Sequence, residues 1–131
     1  MTIREASCSC GQLRATVSGE AIRISVCHCF ACQKRTGSIF GAQARFRRED
    51  VSIQGNSREY TRTADSDRTI TFSFCPTCGA TVHYRQDYAP DVIAIPVGAF
   101  ADAAFPAPAF SVYESRQHHW IEIRAAVERS D

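Results

Sequence analysis

Seven cysteines in a chain of 131 residues fall into three tight groups. They are Cys8-Ser-Cys10-Gly11, Cys27-His-Cys29-Phe-Ala-Cys32 and Cys75-Pro-Thr-Cys78-Gly79. Thiolates are soft ligands that favour zinc. In extended chain, residues i and i+2 point to the same side, with Cα atoms roughly 6.5 to 7 Å apart, so Cys8 and Cys10 can reach one ion. Cys27 and Cys29 share a face in the same way, and Cys32 returns across a turn. Cys75 and Cys78 close a knuckle in which Pro76 presets φ and Gly79 can take a positive φ. Backbone N–H groups in such a turn donate to the sulfurs and lessen their charge density.

A closed structural zinc site takes four protein ligands, and a catalytic one keeps a position open. Cys8, Cys10, Cys75 and Cys78 meet the first requirement. Cys27, Cys29 and Cys32 meet the second, giving two zinc ions per chain. Spacing alone leaves other groupings open. His28 is an alternative fourth ligand for the middle site, although a strand would send it to the face opposite Cys27 and Cys29. His83, His118 and His119 lie outside the clusters and read as surface or packed histidines. Cys29-Phe-Ala-Cys32 also has redox-dithiol spacing, but no strand followed by a long helix surrounds it. A disulfide scaffold is disfavoured by the odd cysteine count and by an N-terminus without an apolar signal region.

The segments that must position these sulfurs read as short strands. Leu13–Val17, Ile22–Val26 and Thr69–Phe74 alternate, the last placing Ile70, Phe72 and Phe74 on one face. Arg58–Thr63 and Thr81–Tyr84 carry strand-type residues. Val92–Val97 is a denser apolar run, in which Pro96 marks an end or edge. One short helix is expected over Phe30–Thr36, stopped by Gly37. Residues 101–108, with two prolines, read as loop. Phe72, Phe74, Phe100, Phe105, Phe110 and Trp120 are the expected core aromatics. The class is a mostly antiparallel β domain, a single one spanning 1–131.

Fifteen basic residues, all arginine except Lys34, face fourteen acidic ones, for a formal charge of +1. Arg45, Arg47 and Arg48 run straight into Glu49 and Asp50. Such a balance argues against a dedicated nucleic-acid binder. No stretch is apolar enough to span a bilayer. The expected compartment is the reducing cytoplasm.

Together the three clusters resemble the glutathione-dependent formaldehyde-activating (GFA) family, which includes the centromere-protein-V-like domain. Supporting matches are Gln33-Lys34-Arg35-Thr36-Gly37-Ser38, Phe74 before the knuckle, and Val112-Tyr-Glu-Ser-Arg116 with Trp120. Ser111 stands where relatives often have histidine, and the chain is shorter than the namesake enzymes. The likeness covers about residues 5 to 123. It implies a β-tent fold of stacked antiparallel sheets, with Cys8, Cys10, Cys75 and Cys78 on a structural zinc and Cys27, Cys29 and Cys32 on an active-site zinc. It also implies a carbon–sulfur lyase-type activity that handles a thiol adduct of an aldehyde. In the namesake reaction glutathione and formaldehyde form S-hydroxymethylglutathione. Arg35, with Arg45, Arg47 and Arg85 as alternatives, is a candidate contact for the carboxylates of a thiol substrate. Two other readings start from the same residues: a non-catalytic zinc-scaffolded binding module, and a thiol-based redox or metal sensor. The residues carry no signal of oligomeric state.

Overall fold

A computed structural model describes residues 2–131. Eleven strands and one helix follow in the order β1 (Ile3–Ser7), β2 (Arg14–Ser18), β3 (Arg23–Cys27), α1 (Phe30–Thr36), β4 (Gly41–Arg47), β5 (Val51–Gln54), β6 (Arg58–Thr63), β7 (Thr69–Phe74), β8 (Thr81–Gln86), β9 (Val92–Pro96), β10 (Phe110–Val112) and β11 (Glu128–Arg129). They build two sheets. The smaller has the order β1-β2-β5 and the larger β11-β10-β3-β4-β9-β8-β7-β6. The mainly β class and the short helix follow the expectation from the residues, and the two sheets follow what the family resemblance implies.

The sheets stack through the side chains that alternation turns inward. Ala6, Ala15 and Val17 of the small sheet pack with Ala44, Phe46, Ile93 and Ile95 of the large one. Phe46 is fully buried, and Phe100 lies beside it at 6.1 Å between ring centroids. Truncating a phenylalanine so placed to alanine costs about 3–5 kcal/mol. Small alanines on three of these strands let the two sheets approach closely.

The other face of the large sheet carries a second cluster of Ile70, Phe72, Tyr84 and Ala94. Cross-strand register lines up Tyr60, Phe72, Tyr84, Ala94, Arg45 and Arg23 in one row across β6, β7, β8, β9, β4 and β3. α1 lies over this face. Its first turn is capped by Cys29 and its end by Gly37, which adopts φ 71° and donates its N–H to Gln33 O at 2.8 Å.

Four features depart from the expectation. β10 pairs in parallel with both β3 and β11, so the large sheet is mixed. Trp120 is 64% exposed and is not a core aromatic, because residues 117–127 run over the surface rather than through a layer. Ile22 precedes its strand and is exposed. β4 was not expected as a strand although residues 42–47 alternate between apolar and polar; its inward residues are two small alanines and one phenylalanine, and alanine is a weak strand former. Among the described residues no helix is long and apolar enough to cross a membrane.

Candidate metal centres and the adjoining cavity

The β1–β2 and β7–β8 connections fold alike. Cys8 N–H donates to Leu13 O at 2.9 Å and Cys75 N–H to Ala80 O at 3.0 Å. Inside each turn, Gly11 N–H reaches Cys8 O and Gly79 N–H reaches Cys75 O. The stacked sheets bring the two turns together. The sulfurs of Cys8, Cys10, Cys75 and Cys78 all lie within 4.8 Å of one another. Cys8 and Cys10 are 3.6 Å apart, and Cys10 and Cys75 are 3.7 Å apart. Four sulfurs at the ordinary zinc–sulfur distance form a tetrahedron with edges of about 3.8 Å, so this donor set fits zinc closely.

Donors surround the same sulfurs. Leu13 N–H points to Cys8 Sγ and Thr77 N–H to Cys75 Sγ, each at 3.3 Å, and Gln12 Nε2 reaches Cys75 Sγ at 3.0 Å. Burial opposes ionisation of Cys75, but the Gln12 amide and the N–H groups of Cys78 and Thr77 outweigh it and bring the thiol down to about 6. At Cys10 the N–H of Gln12 favours the thiolate, yet the neighbouring cysteines and desolvation push it up to about 11. Four adjacent thiols cannot all ionise without a cation among them.

The second group forms where β3 gives way to α1. Cys27 is the last residue of β3, Cys29 is the N-cap of α1, and Cys32 lies in the first turn. Their sulfurs also lie within 4.8 Å of one another. Cys32 N–H donates to Cys29 Sγ at 3.3 Å. Hydrogen bonds from Cys27 and Cys32 bring Cys29 down to about 2, with Arg62 contributing, and the same bonds raise Cys27. Three sulfurs this close together could hold one metal ion.

This group faces a cavity of about 750 Å³ on the outer face of the large sheet. Ser25 and Gln43 line it from β3 and β4, and Phe72 and Tyr84 from β7 and β8. Arg35 reaches in from α1, its guanidinium stacked 4.9 Å from the Phe72 centroid and 5.2 Å from Tyr84. Gly41 makes room for it: a Cβ there would lie 3.4 Å from both Arg35 Nη2 and Cys32 Cβ. The four-cysteine group is not among the residues lining this cavity.

A family model for the glutathione-dependent formaldehyde-activating enzyme matches residues 3–116, most of the chain and all seven cysteines. The protein belongs to the GFA family. A crystal structure of a Rhodobacter sphaeroides protein superposes with a TM-score of 0.59, at 22% identity, covering 78% of this chain and 91% of that one, and so shares the fold. Among curated proteins none matches the chain.

Within this GFA chain His28 lies outside both sulfur groups. It points away from the cavity, fully buried, with Nε2 3.0 Å from Ser111 Oγ. Ser111 gives its single proton to Glu114, so its oxygen accepts from His28 Nε2–H, and this network assigns the neutral tautomer. Burial holds the His28 pKa below its usual value. Glu114 is anchored by Arg129 of β11 at 2.9 Å. His118 sits 3.0 Å from Gln33 Oε1, and Gln33 Nε2 donates to His28 O and Arg116 O. His83 and His119 belong to neither group.

Of the arginines expected as carboxylate contacts, Arg35 and Arg45 line the cavity. Arg47 is exposed at the end of β4 and does not line it. Arg85 is engaged elsewhere, paired with Glu59 at 3.0 Å, because alternation along β8 turns it away from Tyr84. Two contributors were not singled out from the residues. Gln12 braces Cys75 and also holds Asn56 through both ends of its amide. Arg62 reaches the cavity from β6, where the alternation with Tyr60 was the available signal.

Proposed function

We propose that the chain is a two-zinc enzyme that joins a thiol to a small aldehyde, or splits the adduct, with the ion at Cys27, Cys29 and Cys32 as its reactive centre. The observation that carries this reading is the asymmetry between the sulfur groups. Four sulfurs at tetrahedral spacing make a closed set, while three sulfurs face a cavity with room for an organic thiol. Membership of a family named for glutathione-dependent formaldehyde activation supports the same chemistry.

Cys8, Cys10, Cys75 and Cys78 would hold the structural ion. Cys27, Cys29 and Cys32 would hold the other, which supplies deprotonation of an incoming thiol at neutral pH. The remaining work falls to the chain. Arg35 and Arg62 place positive charge beside the sulfurs and offset the charge of three thiolates. Phe72 and Tyr84 form an apolar wall that limits water around the reacting carbon. In the forward direction a carbon–sulfur bond forms, the carbonyl π bond breaks, and the thiol proton ends on the former carbonyl oxygen. Glutathione with formaldehyde is the first pair to test. The chain acts as a single domain in a reducing compartment such as the cytoplasm, where its seven free cysteines stay reduced.

The test is the exchange rate between free and adduct thiol, followed by NMR in a mixture of formaldehyde and a thiol panel with the zinc-loaded protein. The expected result is acceleration above the uncatalysed rate that disappears in Cys29→Ser. Rates equal to background across the panel would overturn the enzymatic reading and leave a zinc-scaffolded binding module.

A further inference from the structure

The cavity beside Cys27, Cys29 and Cys32 is strongly unbalanced in charge. Six arginines reach it, namely Arg23, Arg35, Arg45, Arg62, Arg68 and Arg116, against one carboxylate, Asp65. Among the described residues, none of the six has a carboxylate oxygen within 4.0 Å; the arginines that form ion pairs are Arg4, Arg85 and Arg129. A set of solvated surface arginines would be unremarked, but Arg23, Arg35, Arg45 and Arg62 are all half-buried.

The arrangement also carries costs that a bound anion would relieve. Arg23 and Arg45 sit directly opposite each other on β3 and β4, a register at which like charges destabilise a sheet. Arg35 and Arg62 both stack on Phe72, at 4.9 and 5.7 Å. Stacking engages the faces of their guanidinium groups and leaves the in-plane N–H donors free. The Nε atoms of both are buried and have no hydrogen-bond partner. Buried polar groups left unpaired are expensive and point to a missing partner.

The number of guanidinium groups decides how many charges that partner needs. Arg23, Arg35, Arg45 and Arg62 come from different elements of the fold and all line the cavity. One carboxylate cannot neutralise four of them, whereas two anionic groups on one small molecule can meet them in pairs. We infer that this cavity selects a thiol carrying two or more anionic groups and no ammonium, gripped by Arg23 and Arg45 at one end and by Arg35 and Arg62 at the other. Glutathione would bring an ammonium among six guanidinium groups and a single carboxylate, so it is the weaker ligand. The thiol half of this statement rests on the proposed function; the anionic half rests on the arginines alone.

Calorimetry on the zinc-loaded full chain tests both halves. The ligands are mercaptosuccinate, glutathione, uncharged 2-mercaptoethanol and thiol-free tricarballylate. Mercaptosuccinate should bind about tenfold or more tighter than glutathione, with affinity falling as salt rises. Arg62→Gln and Arg45→Gln should each weaken mercaptosuccinate and tricarballylate about tenfold, and Arg45→Gln should leave 2-mercaptoethanol unchanged. Arg62→Lys should recover only part of the loss, because it keeps the charge but not the fork. Unchanged melting temperatures would show that these variants fold. Glutathione binding as tightly as mercaptosuccinate, or arginine variants without effect, would overturn the inference. Tricarballylate binding that depends on Arg62, with no thiol binding that depends on Cys29, would uphold the anion site and refute the thiol reading. Cys29-dependent thiol binding indifferent to ligand charge would do the reverse.

Discussion

Replacing Cys75 by serine should unfold far more of the protein's stability than replacing Cys29 by serine. The structure sets the size of the difference. Cys10 and Cys75 are 65 residues apart in sequence, and an ion among Cys8, Cys10, Cys75 and Cys78 closes that loop. Cross-linking a loop of this length removes chain entropy from the unfolded state equivalent to about 4 kcal/mol. A domain of this size is stable by only about 5–15 kcal/mol, and 1 kcal/mol moves its melting temperature by about 4 °C. Cys75→Ser should therefore lower the midpoint by about 15 °C. By contrast, Cys27, Cys29 and Cys32 close only a local loop, so Cys29→Ser should shift the midpoint by a few degrees while still losing one zinc ion. Scanning calorimetry with elemental zinc analysis after chelator dialysis reads both quantities. If the two variants melt within about 3 °C of each other, or if Cys75→Ser keeps both ions, the division into a structural and a reactive centre is refuted.

Three further predictions follow from single features. Gly55 has φ +100°, and a Cβ there would lie 2.0 Å from Gln12 O, so Gly55→Ala should cost about 1–3 kcal/mol in urea denaturation and displace the Gln12 brace; an unchanged midpoint would contradict the geometry. Ser111→Ala leaves His28 Nε2–H and Glu114 without their shared partner in a buried network and should cost about 1–3 kcal/mol by the same assay, with no change in zinc content. Burial, with Arg85 nearby, holds His83 below the usual histidine pKa, so its contribution to stability is complete above about pH 6.5 and is lost as pH falls toward the folded value; His83→Gln should flatten the fall in stability below pH 6.5 relative to wild type, and parallel curves would refute this.

The sulfur groups could be read from spacing because ligand geometry is local: Cys-x-Cys and Cys-x-x-Cys each bring two sulfurs within reach of one ion whatever the surrounding fold. Which pairs combine depends on tertiary stacking, and the tetrahedral spacing of the first four sulfurs appears only when the two sheets meet. The helix was legible at its end, where Gly37 takes the positive φ that stops it; at its start Cys29 caps it through its sulfur, which spacing alone did not show. β4 was overlooked although Ala42, Ala44 and Phe46 alternate with Gln43, Arg45 and Arg47, because two of its three inward residues are alanines, which are weak strand formers. Trp120 misled because a large aromatic is ordinarily buried, and nothing local says that residues 117–127 cross open surface. Gln12 acts at long range, on Cys75, and no spacing rule reaches that far; Arg62 shares a strand face with Tyr60, but its approach to Phe72 depends on the pairing of β6 with β7.

α1 is seven residues long and buries no side chain fully. An isolated helix of that length has no stability of its own in water. It stays in place through Cys29 and Cys32 at one end, Gln33 in the middle and the stacked Arg35 at the other. Its persistence as a roof is therefore only as long as that of its moorings. A change that slackens the sulfurs slackens Arg35 as well. By the reciprocity of linked equilibria, an occupant that immobilises Arg35 strengthens the hold on whatever ion the sulfurs carry.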